Sequence, residues 1–213
     1  MTEHLTLTLA LTLVGALIGM VVRQRLATLT YRRDDEASHP SPGPRWWIPI
    51  ATAAASGLLA WRFGVDRWPL LLPTLPLAWF GPWLSAIDLD VRRLPNPLLA
   101  AHAALVAVGV GAAAAFTGSP VLAIQAAVGA TVAFAVFWIL DRVRPGGFGW
   151  GDGKYVPIIG AATAAVSLSV AWWAFMIACL AAVAATPLRR QRTNFPFGPW
   201  LAVGAVAALV LFG

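Results

Sequence analysis

The chain has 213 residues, 59% hydrophobic and only 11% charged, with a formal net charge of +6. A soluble domain is about one quarter charged, so this composition excludes an ordinary soluble globular protein and makes lipid the solvent for most of the chain. The positive charge does not point to nucleic acid, because the arginines sit in short clusters between apolar runs, where they act as topology signals.

Residues 5–22 are apolar and are followed by Arg23, Arg25, Arg32 and Arg33, with no basic residue before them. That polarity is opposite to a cleavable signal peptide and predicts a transmembrane helix with its N-terminus outside. The stretch YRRDDEASHPSPGPR at 31–45 is charged and proline-rich, and reads as part of a cytoplasmic loop over 24–45. Seven further spans are predicted at 46–64, 68–87, 98–116, 120–140, 155–168, 170–187 and 198–212. A bilayer core of about 30 Å needs about 20 mostly apolar residues per helix, and 155–168 and 198–212 are short of that. Span 68–87 carries Pro69, Pro73, Pro76 and Pro82 and is expected to be kinked or interrupted.

Alternation across eight spans places Arg23, Arg25, Arg32, Arg33, Arg45, Arg92, Arg93, Arg142, Arg144, Lys154, Arg189, Arg190 and Arg192 inside, and only Arg62 and Arg67 outside. The expected fold is therefore all-α: a polytopic membrane helical bundle of about eight transmembrane helices, one domain over 1–213, both termini outside. Tryptophans such as Trp46, Trp47, Trp68 and Trp200 fall where an interfacial belt belongs. Cys179 is the only cysteine, so an intrachain disulfide and a cysteine-based zinc site are both excluded, and no metal is expected.

Two acids stand out against this background. Asp88 ends the third span in AIDLDVRRLPNP, and Asp152 precedes the sixth in GWGDGKY. The topology brings both to the cytoplasmic membrane boundary. Ionisable groups at membrane depth are costly and tend to be functional. In a partly desolvated cleft, like charge keeps one of two carboxylates protonated while the other is ionised. The ionised member can take a proton from water, and the protonated member can polarise a peptide carbonyl and then donate to the leaving amine. Gly149 and Gly151 let the backbone approach a substrate strand closely. Pro95 and Asn96 lie in the rigid turn that opens the next helix.

Each motif also has a plainer reading. Asp152 at a helix start suits a cap, Asp88 and Asp90 suit pairing with Arg92 and Arg93, and Lys154, the one lysine of the chain, suits an interfacial snorkelling role. His102 within the fourth span reads as a hydrogen-bonded packing residue rather than a base. The acidic run Asp34, Asp35 and Glu36 reads as a solvated face of the loop, and less readily as an attractor for basic peptide.

Taken together, the motifs resemble those of prepilin peptidases, the GxGD membrane aspartic peptidases. DLDVRRLPN at 88–96 resembles their first aspartate motif, GWGDGK at 149–154 their second, FPFGPWLAVGA at 195–205 the segment opening their last helix, and GALIGMVVRQR at 15–25 their first span. The resemblance implies an aspartic endopeptidase that removes the leader of type IV prepilin-like precursors at the cytoplasmic face of the inner membrane. It implies Asp88 and Asp152 as the catalytic pair, with Asp88 preferred over Asp90, and Gly149, Gly151 and Lys154 as residues shaping the site. It implies prepilin leaders and membrane lipids as partners and no nucleic acid. Longer members also methylate the new N-terminus with S-adenosylmethionine and carry a four-cysteine zinc segment in the first loop. Here that loop has no cysteine, so the chain is expected to act mainly as a peptidase. Proteolysis itself needs no cofactor, and S-adenosylmethionine enters only with methylation. The competing classes are a small proton-coupled transporter using the same acids and an inactive pilus-assembly scaffold.

Overall fold

The computed structural model describes residues 2–143, 149–185 and 196–213. Every regular element in them is helical. The helices are α1 (Thr2–Ala27), α2 (Trp47–Phe63), α3 (Leu71–Val91), α4 (Asn96–Thr117), α5 (Val121–Val143), α6 (Trp150–Ala164), α7 (Leu168–Ala185) and α8 (Gly198–Phe212). Among the described residues, five stretches are long and apolar enough to cross a membrane: α1, α3 with the short 3-10 turn before it, α4, α5 and α7. Helices α2, α6 and α8 have 17, 15 and 15 residues; at about 1.5 Å per residue the two shortest reach only about 22 Å. Arg144, Arg189, Arg190, Arg192 and Phe195 lie outside the described residues.

All eight predicted spans correspond to helices, and two expectations are corrected. The sixth helix begins at Trp150 rather than 155, so Asp152 and Lys154 stand on its first turns instead of in a preceding loop. Gly153 adjoins open space and its N–H donates to the Gly149 carbonyl at 3.2 Å, so glycine does not stop the helix here. The proline-rich third span, expected to be kinked or interrupted, is not interrupted, since α3 runs through Pro76 and Pro82. Proline at 76 cannot bond the Leu72 carbonyl. That carbonyl is covered instead by α4 at Gly109, where a β-carbon would also come within 2.8 Å of the Pro73 nitrogen.

Small residues set the helix contacts, as expected where lipid supplies no hydrophobic force between helices. Helix α5 meets α6 at Gly129 and Gly160; a β-carbon on Gly160 would lie 2.9 Å from both the Gly129 carbonyl carbon and the Ala133 side chain. Helix α8 meets α7 at Gly204, where a β-carbon would fall 2.7 Å from the Ala178 nitrogen. These obstacles are backbone atoms and an alanine β-carbon, which cannot swing aside. Gly160→Leu is therefore expected to destabilise the bundle by about 1–3 kcal/mol or more, visible as a lower unfolding temperature of the detergent-purified protein.

The same packing sorts the helix ends. Arg62 at the end of α2 donates to the Gly213 carbonyl at the end of α8. At the other end of the bundle gather the C-termini of α1 and α3 and the N-termini of α2, α4, α6 and α8, linked by the contacts described next.

Candidate active site

Helix α3 delivers Asp88 in its last turn, and the chain then reverses sharply. Arg92 caps α3 in the left-handed conformation (φ 51°), and its N–H donates to the Asp88 carbonyl at 2.9 Å. A non-glycine residue there costs of order 1 kcal/mol. The turn is offset by direction, since Leu94 and Asn96 then face α6. Pro95, in extended conformation, precedes the first helical residue of α4, and its carbonyl takes the N–H groups of Leu98 and Leu99 at 3.1 Å each.

Helix α6 supplies the complementary side. Leu94 is buried and packs on Gly151, where a β-carbon would sit 3.1 Å from the Leu94 Cβ and 3.3 Å from its nitrogen. Three residues on, Lys154 Nζ donates to Asn96 Oδ1 at 2.9 Å. The two motifs, separated by more than fifty residues in the chain, thus interlock along one line: Leu94 on Gly151 and Asn96 on Lys154.

Asp88 and Asp152 lie behind that line, only 4% and 7% exposed, and close enough for their charges to repel. Asp88 Oδ2 accepts the Gly198 N–H at 3.0 Å. Gly198 is the first residue of α8, so Asp88 sits at the positive end of that helix dipole, which favours a negative charge. Asp152 stands in the first turn of α6, with Gly149 beside its Oδ2, and its Oδ1 has no hydrogen-bond partner among the described residues. A buried oxygen without a partner is costly unless something else comes to it, such as water or substrate. Beside Lys154 and Asn96 a cleft of about 700 Å³ opens between α4, α5 and α6, lined otherwise by apolar residues such as Leu99, Ala103 and Ile158.

The structure brings together Asp88, Asp152, Gly149, Gly151, Lys154, Pro95 and Asn96, and it places Asp90 elsewhere. The Asp90 carboxylate turns to the α1–α2 loop. There it accepts Arg32 Nη2 at 2.8 Å and Nε at 3.0 Å, lies 3.3 Å from Arg45 Nη2, and accepts the Tyr31 hydroxyl. Pairing of Asp90 with Arg92 or Arg93 is thereby replaced by pairing across the chain. Glu36 is not a free member of an acidic run, because Arg93 holds both of its oxygens at 3.0 and 2.8 Å. Those hydrogen bonds from Arg93 keep the Glu36 carboxyl below the ordinary carboxylate range, so the pair stays charged at neutral pH. Asp34 and Asp35 remain exposed.

Two further residues were not singled out from the sequence as site residues. Gly198 contributes a backbone N–H, and its only signal was the Phe-Gly-Pro opening of the last helix. Tyr155 is fully buried, three residues on from Asp152 in α6. It contacts His102, whose ring stacks on Phe80 with centroids 4.9 Å apart and meets Tyr155 at 5.8 Å. His102 packs as expected, but neither ring nitrogen has a hydrogen-bond partner among the described residues; aromatic faces hold it instead.

Residues 75–188, more than half of the chain and including both buried aspartates, match the model of the type IV leader peptidase family. No curated protein and no solved structure matches the chain. An all-helical bundle with five helices able to span a bilayer is the setting for that match. The chain belongs to the type IV leader peptidase family and is a helical membrane peptidase.

Proposed function

We propose that the chain is an aspartic endopeptidase that removes the leader of type IV prepilin-like precursors at the cytoplasmic face of the inner membrane. The observation that carries this reading is that two aspartates from separate motifs, Asp88 and Asp152, are both buried and near enough for their charges to interact. Two carboxylates in a dry pocket share a proton. The ionised partner removes a proton from water as the oxygen attacks the scissile carbonyl carbon, while the protonated partner donates to the carbonyl oxygen. Collapse of the tetrahedral adduct breaks the C–N bond, and the amine leaves with a proton taken from the carboxyl pair. Asp88 and Asp152 titrate as a unit in this scheme, so neither is assigned a fixed role.

The surrounding residues have supporting roles. Gly198 anchors one Asp88 oxygen through its backbone N–H. Gly149 keeps a side chain away from Asp152, and Gly151 lets Leu94 seat closely on α6. The Lys154–Asn96 bond fixes α6 against α4, and the cleft beside it gives an apolar peptide stretch room to lie within the bundle. Both termini are placed outside, and membrane lipids surround the bundle. Methylation would add S-adenosylmethionine as a cofactor.

Coexpression with a prepilin, followed by intact-mass analysis, tests the reading. The expected product has lost its N-terminal leader; an added 14 Da-scale methyl increment, about one CH₂ group, would report the second activity. A prepilin of unchanged mass beside well-inserted enzyme would refute it.

A further inference from the structure

The α1–α2 segment, residues 28–46, is tied to the end of α3 more thoroughly than a connecting loop requires. It has one 3-10 turn, Asp34–Glu36, as its only regular structure, yet it grips the chain on both sides of the Arg92 reversal. On one side lies Asp90, in the same helical turn as Asp88. Its carboxylate takes donors from Tyr31, Arg32 and Arg45, and the Arg32 and Asp90 side chains are only 6% and 8% exposed. On the other side lies Arg93, which holds Glu36 through both carboxylate oxygens and donates to the Tyr31 carbonyl at 2.8 Å. The segment is itself cross-braced. Arg32 donates to the His39 and Pro40 carbonyls at 3.0 and 2.8 Å, Arg45 donates to the Tyr31 hydroxyl at 2.8 Å, and Arg23 donates to the Pro44 carbonyl at 2.8 Å.

Buried ion pairs add little net stability when a hydrophobic alternative exists, because desolvation offsets the attraction. What such a set does provide is geometry: planar guanidinium forks accept few arrangements. The geometry fixed here is that of the site. Arg93 adjoins Leu94, which packs on Gly151, one residue before Asp152. Asp90 is two residues beyond Asp88. We infer that segment 28–46 is a clasp, and that Asp90, Arg93 and Glu36 are positioning residues that hold the 88–96 turn in register with α6. The inference rests on the peptidase reading for its effect on rate, but the clasp itself is a structural claim.

The test uses the full chain in proteoliposomes, as wild type, Glu36→Gln, Asp90→Asn, Arg93→Glu and the exchanged pair Glu36→Arg with Arg93→Glu. Hydrogen–deuterium exchange and prepilin cleavage are both read. Misplacing reacting groups by about 1 Å can cost about 100-fold. The single variants are accordingly expected to lose about 10- to 100-fold in kcat with KM within about twofold. Their exchange is expected to rise in 28–46 and also in 149–156, a segment the loop does not supply with hydrogen bonds. The exchanged pair should recover most of both. Glu36→Gln keeps the side-chain volume and leaves Arg93 on Tyr31, so it remains informative if harsher variants fail to fold. Faster exchange confined to 28–46, with cleavage as in wild type, would overturn the inference. If wild type cleaves no prepilin, the peptidase reading fails, and exchange at 149–156 alone decides the clasp.

Discussion

Asp88→Asn and Asp152→Asn are each expected to lower prepilin cleavage by about 10²–10⁴-fold, the range for losing a positioned acid or base, with insertion and helical content unchanged. Asparagine keeps the shape of aspartate but can neither accept a proton from water nor deliver one. At position 88 it can still accept the Gly198 N–H, so the contact between α3 and α8 survives. At position 152 it removes a buried carboxylate whose Oδ1 has no protein partner among the described residues; stability should hold or rise as activity disappears. That opposite movement separates a functional acid from a cap, because loss of a helix cap destabilises by about 1 kcal/mol. Rates from quantitative mass spectrometry, paired with thermal unfolding, supply both readouts. Asp90→Asn should instead lose order in the α1–α2 segment together with its activity, since its charge is spent on Arg32, Arg45 and Tyr31.

Gly198→Ala is expected to have the next largest effect, a loss of about 10- to 100-fold in kcat from displacement of a reacting group. A β-carbon at this position would stand 2.9 Å from Asp88 Oδ2 and 3.4 Å from its carboxyl carbon. The obstacle is the end of a side chain, so the bundle can accommodate the methyl by rotating that carboxylate. Doing so breaks the 3.0 Å bond from the Gly198 N–H and moves the acid relative to Asp152. The expected signature is therefore low turnover with nearly normal thermal stability, measured on the same preparation. Equal losses of stability and activity would indicate a packing position instead.

The helices were legible because a membrane span is apolar, and eight apolar runs separated by arginine clusters or short turns leave few alternatives. Their ends were less so. Helix α6 starts inside GWGDGK because glycine lowers helix propensity without forbidding the helix, and the Gly149 carbonyl accepts the Gly153 N–H. The prolines of α3 suggested a break, but a neighbouring glycine on α4 lets the freed Leu72 carbonyl be covered. In the site, Asp88, Asp152, Gly151, Lys154 and Asn96 could be named from motif spacing, since their types and order carry the chemistry. Their mutual contacts could not: Lys154 meets Asn96 only because two intervening helices return the chain to the same end. The partners of Asp90 and Arg93 were misjudged for a similar reason. Adjacent arginines offer the obvious pairing in sequence, whereas the left-handed turn at Arg92 sends Asp90 and Arg93 toward a loop more than fifty residues earlier. Gly198 acts through its backbone, which side-chain chemistry does not announce.

That two remote acids work as a single hydrolytic unit is tested most directly by the Asp88→Asn, Asp152→Asn double variant. Groups acting as one unit lose their function together, so the double variant should cleave prepilin no more than about threefold slower than the slower single. Losses that multiply, or wild-type cleavage by either single variant, would contradict a shared site.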